Sequence, residues 1–261
     1  MSQLFQPFRA LGYICDGVPC AVQQRGTETF VASSVGRAYQ LYKCDRLSLQ
    51  FVGPMLEKKI RAIALYKDVT FVASGPQVRA FKRGKETGCM GEADGSQVRL
   101  LIVLGDHLVA IAKSGKVDTW DASTCELHAS FELGEELGTP TAVAHPPTYL
   151  NKVLVGGTTG KMQLCNLRTR KCIYQFEGWG ASVTAIEPSP AVDVAAVGLA
   201  DGRIVMHNLL SDETLFTFSH GVPIHSLSFR CGTPQHGLSS NKMALITSDC
   251  GTMRSLSIKW P

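Results

Sequence analysis

The sequence is short of most features that announce a chemistry. Charged residues make up only 18% of 261, with a formal net charge of +4. That excludes a disordered acidic chain or a supercharged nucleic-acid arm, and leaves a mild positive balance compatible with a nucleic-acid-rich setting. The longest strongly apolar stretch is "LLIVL" at 100–104, far below the roughly 20 residues of a membrane-spanning helix. The opening "MSQLFQPFRALGYICDG" has no basic segment ahead of a long apolar core, so it does not read as a signal peptide. Cysteine is present, but in no pattern that chemistry uses. Cys15, Cys20, Cys44, Cys89, Cys125, Cys165, Cys172, Cys231 and Cys250 are scattered, and no C-x-x-C pair occurs. Structural zinc wants close pairs. The expectation is reduced, mostly buried thiols in a soluble intracellular protein with no membrane association.

Catalytic signatures are missing as well. Neither H-E-x-x-H nor G-x-S-x-G occurs, and His220 and His225 flank a turn without a third ligand at recognisable spacing. One stretch does imitate a cofactor motif. "LVGGTTGKMQL" at 154–164 resembles a phosphate loop, G-x-x-x-x-G-K-[ST]. The match fails on three counts. Only three residues separate Gly156 from Gly160, and Met162 follows Lys161 where a hydroxyl should meet magnesium. The stretch also lies between two expected strands, whereas a phosphate loop leads into a helix N-terminus. Glycine here is expected to serve a tight hairpin. No enzyme activity, cofactor, metal or small-molecule substrate is expected.

What the chain does have is a repeat. "TFVASSVGRAYQLYKC" from Thr29, "TFVASGPQVRAFKRG" from Thr70 and "HLVAIAKSGKVDTWD" from His107 share one form. So do "KVLVGGTTGKMQLCN" from Lys152, "DVAAVGLADGRIVMHN" from Asp193 and "MALITSDCGTMRSLS" from Met243. Each is an apolar run, a small glycine turn, then an alternating run. The turn glycines Gly36, Gly75, Gly115, Gly160, Gly202 and Gly251 recur at intervals close to the 40–45 residues of a four-stranded propeller blade. The position closing the second run holds Tyr42, Phe81, Trp120, Cys165 and His207, and a ring there can fill the gap between neighbouring blades.

Inner strands are expected at 60–66, 98–104, 183–189 and 224–230, and alternating, half-exposed outer strands at 47–53, 125–131, 171–178 and 213–219. No segment sustains a helical period; "LGEELGT" at 133–139 has room for one helical turn at most. The pattern predicts an all-β propeller occupying 1–261 as one domain. Its hairpins fall near 29–43, 70–82, 107–121, 152–166, 193–208 and 243–258. About six blades are visible and the last is incomplete, as in a truncated seven-bladed ring. Residues 8–15, "FRALGYIC", are a candidate extra strand that completes an outer position or pairs elsewhere.

Basic residues cluster at expected strand ends. Lys58, Lys59 and Arg61 form one group, Arg168, Arg170 and Lys171 another, and Lys82, Arg83 and Lys85 a third. The first two are candidate contacts to RNA phosphates or to an acidic partner; solvated turns are the plainer alternative. Without interleaved aromatics, sequence-specific reading of RNA is not supported.

The "TWD" at 119–121 resembles WD repeats, although only this unit carries the dipeptide. No Gly-His pair opens a blade; Gly178–Trp179 and His220–Gly221 occupy that region. The longer pattern is more specific. "PFRALGYICDGVPCAV", "FVASSVGRAYQLYKCDRLSLQFVG", "NKVLVGGTTGKMQLCNLRTRKCIYQFEGWGASVTAIEPSPAVDVAAVGLADGRIVMHNL" and "DETLFTFSHGVPIHSLSFR" resemble the N-terminal propeller of the WD repeat-containing protein 36 / U3 small nucleolar RNA-associated protein 21 family. The resemblance implies a nucleolar, non-catalytic scaffold of the small-subunit processome. It would act with the U3 snoRNA and pre-rRNA particle and other WD-repeat and processome proteins in 18S rRNA maturation. Family members carry two tandem propellers and a C-terminal helical region, so this chain is expected to be a piece. A WD-type adaptor of another complex, such as a ubiquitin ligase receptor or trafficking scaffold, is the alternative. A propeller enzyme would need acidic or histidine residues converging at one end of the channel.

Overall fold

A computed structural model describes residues 17–93, 95–231, 242–248 and 253–259. The candidate strand at 8–15 lies outside them. Five sheets of four antiparallel strands and one of three account for the described elements. The first sheet holds β1 (Ala21–Arg25), β2 (Glu28–Val35), β3 (Ala38–Lys43) and β4 (Ser48–Val52). The second holds β5 (Ile60–Tyr66), β6 (Val69–Ser74), β7 (Gln77–Lys82) and β8 (Lys85–Met90). The third holds β9 (Val98–Leu104), β10 (His107–Ala112), β11 (Lys116–Asp121) and β12 (Leu127–Glu132). The fourth follows a single 3-10 turn at Glu135–Leu137 and holds β13 (Pro140–Ala144), β14 (Lys152–Gly157), β15 (Met162–Asn166) and β16 (Lys171–Phe176). The fifth holds β17 (Val183–Pro188), β18 (Val194–Leu199), β19 (Arg203–Asn208) and β20 (Glu213–Ser219). The sixth has β21 (Ser226–Cys231), β22 (Lys242–Ser248) and β23 (Met253–Lys259).

Strand order within every sheet is sequence order, which is the meander of a propeller blade. The middle strands are the apolar ones. β18, "VAAVGL", is buried throughout, and β10 and β14 are buried beyond their first residue. The last strand of a sheet is the exposed edge; β16 and β20 leave most of their residues in solvent.

The chain divides into two compact units, Met1–Lys113 with Asp118–His128, and Ser114–Val117 with Ala129–Pro261. In the first unit β1 lies beside β5 and β5 beside β9, so the first strands of consecutive sheets adjoin. Tyr39, Leu41, Ile60, Val72 and Phe81 form one core cluster, and Phe71, Val78, Leu108 and Trp120 another. Phe81 and Trp120, two of the repeated closing positions, are thus packing residues, whereas Tyr42 is only half-buried and gives its hydroxyl proton to Gln40 Oε1 at 2.7 Å.

In the second unit β13 adjoins β17 and β17 adjoins β21. Leu154, Met162, Phe176, Val183, Leu199 and Val205 fill the core, and Ile204, Met206, Ile224 and Leu227 form a further cluster. The six described cysteines with resolved surroundings are free thiols. The expectation that they are mostly buried is corrected: only Cys165 is buried, while Cys20, Cys89 and Cys172 are exposed. Cys89 and Cys172 stand on the exposed last strands β8 and β16, and Cys20 in the segment leading into β1.

Candidate functional site

The stretch that imitates a phosphate loop is the β14–β15 hairpin, and its residues are engaged with the segment before β13. Gly157 N–H donates to Lys161 O at 3.1 Å, closing the turn. A Cβ on Gly157 would stand 2.0 Å from Leu137 O, so only glycine lets the 3-10 turn approach. Thr159 Oγ1 donates to Glu136 O and Leu137 O at 2.9 and 3.1 Å. Lys161 Nζ is paired with the Glu136 carboxylate, which also accepts from Gln175 Nε2 at 2.7 Å. These two donors hold the Glu136 carboxyl below its ordinary range. Gln163, buried on β15, accepts from Gly134 N–H at 3.1 Å and donates to Gln175 Oε1 at 2.9 Å. The motif is a clamp on residues 134–139.

The aspartate of "WD" has an equally structural task. Asp121 Oδ1 accepts from Ser123 N–H, Thr124 N–H and Ser123 Oγ at 2.8, 2.9 and 2.5 Å. These bonds push its pKa down to about 2. Asn166 and Asn208 tie the same turn in the fourth and fifth sheets, taking N–H bonds from Arg168 and Thr169 and from Leu210 and Ser211. His207 is buried between Phe176 and Trp179, with ring centroids 5.3 and 5.1 Å away. Burial lowers its pKa and Asp212, 3.1 Å from Nε2, opposes that shift. Among the described residues no group of three or more His, Cys, Asp or Glu is placed to hold a metal ion, and no helix is long and apolar enough to cross a membrane.

The two candidate basic clusters sit at different kinds of sheet end. Lys58 and Lys59 precede β5, at the end that carries the β6–β7 turn. There Ser74 Oγ donates to Lys58 O at 2.9 Å, and the Lys58 stem lies over Gly75. Arg61 projects, exposed, from β5 itself. Arg168 and Arg170 form the β15–β16 turn with Lys171 opening β16, all exposed. That turn shares its end of the sheet with the β13–β14 loop, to which Leu167 N–H bonds through Asn151 O at 2.8 Å.

Beside this second cluster is a feature that sequence reasoning missed. A cavity of about 60 Å³ lies between the β13–β14 and β17–β18 loops, lined by Pro146, Pro147, Pro188, Pro190, Val192 and Leu209 among others. Val192 in its lining is 66% exposed, and Leu150 and Leu210 in the adjoining loop and turn are 81% and 78% exposed. Tyr149 and Asp193 join the two loops, and burial together with that carboxylate pushes the Tyr149 pKa up to about 12. The available signal was "HPPTYL" and "PSPAV", proline pairs in the same turn of consecutive units.

A family model described as the WDR36/Utp21 first beta-propeller matches residues 31–253. The chain belongs to this family. Its members with curated names include the U3 small nucleolar RNA-associated protein 21 homolog of Schizosaccharomyces pombe, 38% identical over 240 residues. Human WD repeat-containing protein 36 is 34% identical over 232 residues, and U3 small nucleolar RNA-associated protein 21 of Saccharomyces cerevisiae 28% over 246. These matches cover 89%, 88% and 90% of this chain but 26% of each relative. The chain therefore spans about a quarter of the length of the curated relatives it matches. Among solved structures, the computationally designed Ika8 protein aligns with a TM-score of 0.69 at 16% identity, covering 91% of this chain and 70% of that one. At that identity the likeness concerns the fold alone.

Proposed function

We propose that this chain is a non-enzymatic interaction scaffold of the small-subunit processome, working in the nucleolus with the U3 snoRNA and pre-rRNA particle in 18S rRNA maturation. The observation that carries the reading is family membership together with relatives whose names associate them with U3 small nucleolar RNA. The site geometry is consistent with it. The cofactor-like hairpin is spent on clamping a loop, and the polar residues of the repeat turns bond to their own backbone. The six sheets are taken as blades of one propeller, and its partners as other WD-repeat and processome proteins. Lys58, Lys59 and Arg61, and Arg168, Arg170 and Lys171, are assigned as partner contacts on exposed sheet ends. The test is affinity purification of the tagged chain from cells, with U3 snoRNA quantified in the eluate. Enrichment over an unrelated WD-repeat bait, and accumulation of 18S precursor on depletion, are expected. Recovery of U3 at the level of the unrelated bait would sink the reading.

A further inference from the structure

One end of the fourth and fifth sheets carries exposed aliphatic side chains beside exposed cations. Its acids have polar partners of their own, Glu213 accepting from Ser211 Oγ at 3.2 Å. Asp193 is bound to Tyr149, and Asp212 accepts from the Tyr174 hydroxyl at 2.6 Å while lying 3.1 Å from His207. Arg168 and Lys171 are exposed, and among the described residues no carboxylate is paired with either. They stand about two strand spacings, roughly 10 Å, outward from the proline-lined cavity on the same sheet end. Val192 lines the cavity, and Leu150 and Leu210 stand in the adjoining β13–β14 loop and β19–β20 turn; all three are large aliphatic side chains left in water. Scattered exposed aliphatics are ordinary; a group of them on neighbouring loops beside a cavity marks an interaction site.

We infer that this face docks an extended acidic peptide segment of a protein partner, with one aliphatic or proline side chain seated in the cavity and carboxylates set against Arg168 and Lys171. The inference rests on the scaffold reading and gives it a surface. Size selects the anchor: a cavity of about 60 Å³ has room for about two waters, which suits a single small side chain and not a nucleobase. Chemistry selects the class of partner. Single-stranded nucleic acid is held by aromatic platforms as well as by charge. Here Tyr149 is half-buried, linked to Asp193 and covered by Lys152 Nζ at 4.9 Å from its centroid, and Tyr174, though exposed, packs edge-on against Phe176 at 4.8 Å and is tied through its hydroxyl to Asp212. Exposed aliphatics beside cations fit an acidic peptide instead. The prolines fix both loops, so little ordering accompanies binding.

The experiment uses the full chain and fluorescence anisotropy. The probes are labelled dodecapeptides with Leu, Val or Pro at the centre of an Asp/Glu-rich sequence. Controls are the same peptides with a serine centre, the same peptides with Gln and Asn for Glu and Asp, and a uridine dodecamer. Saturable binding of the acidic, apolar-centred peptides is expected, weakened about tenfold or more by Val192→Asp, which places a charge in the apolar site. The double variant Arg168→Glu/Lys171→Glu should weaken it about tenfold as well. Lys85→Glu, an exposed residue of the second sheet to which no contact is assigned, should leave it within about twofold. All these side chains are exposed, and unchanged circular dichroism and melting confirm that the variants fold. Equal binding of serine-centred peptides, or uridine binding without peptide binding, would overturn the inference. So would no saturable peptide binding; if U3 snoRNA still co-purifies with the chain in that case, the scaffold reading stands and this docking site alone fails.

Discussion

The polar residues of the repeat turns are occupied by local backbone chemistry. Asp121 illustrates it: three donors hold one carboxylate, so its folded pKa, about 2, lies below the ordinary 3.8. A depressed carboxylate pKa contributes stability at higher pH and loses it as pH falls from about 4 towards 2. Asp121→Asn, which copies Asn166 and Asn208, should flatten that part of the acid-unfolding curve, measured by circular dichroism across pH. Glu187 on β17 has the opposite sign. Burial, with no cation to offset it, raises its carboxyl pKa. Its folded form binds a proton more readily than the unfolded form. Its contribution is therefore favourable below the ordinary carboxylate range and is lost as pH rises. Glu187→Gln should raise the melting temperature at pH 7 and leave it unchanged near pH 4. Gln163 is a buried amide whose carbonyl and amino groups are both bonded. Gln163→Ala strands Gly134 N–H and should cost about 1–3 kcal/mol in denaturant unfolding.

At the scale of the strand, burial decided what the sequence could reveal. β5, β9 and β20 lie where the alternation and apolar runs placed them, at 60–66, 98–104 and 213–219. β5 and β9 are largely apolar runs covered along most of their length, and β20 alternates exposed and half-buried residues over its second half, so each leaves a mark in composition or spacing. β1, "AVQQR", β8, "KETGCM", and β13, "PTAVA", carry too few apolar residues, or too short a run, to show one. Their identity as strands comes from pairing with a buried neighbour, which spacing within a short segment does not encode. The clamp by Gln163 and Thr159 was invisible for a related reason: it joins positions more than twenty residues apart. The proline-lined cavity likewise needs two loops brought side by side. Phe176 ends an otherwise exposed strand and is itself fully buried against Leu154, Val183 and Val205. Phe176→Ala should cost about 3–5 kcal/mol, read from the urea midpoint.

For the molecule as a whole, each core cluster joins neighbouring sheets, as in other stacked repeats. Together with the two compact units, this argues against a single cooperative transition. Calorimetry of the chain should give a van't Hoff enthalpy well below the calorimetric one; equality of the two would count against sequential coupling.

Gly157 of the β14–β15 hairpin and Gly178 after β16 carry a genetic consequence. Gly178 would place a Cβ 2.2 Å from Gly160 O, and Gly157 one 2.0 Å from Leu137 O. Every missense change at either codon adds that atom, so carriers should show reduced steady-state protein. Missense changes at Leu150, Val192 or Leu210 alter side chains that are mostly exposed. They should leave abundance normal while any phenotype persists. Immunoblot level alone would thus sort inherited variants of this chain into those that fail to accumulate and those that accumulate but fail to assemble.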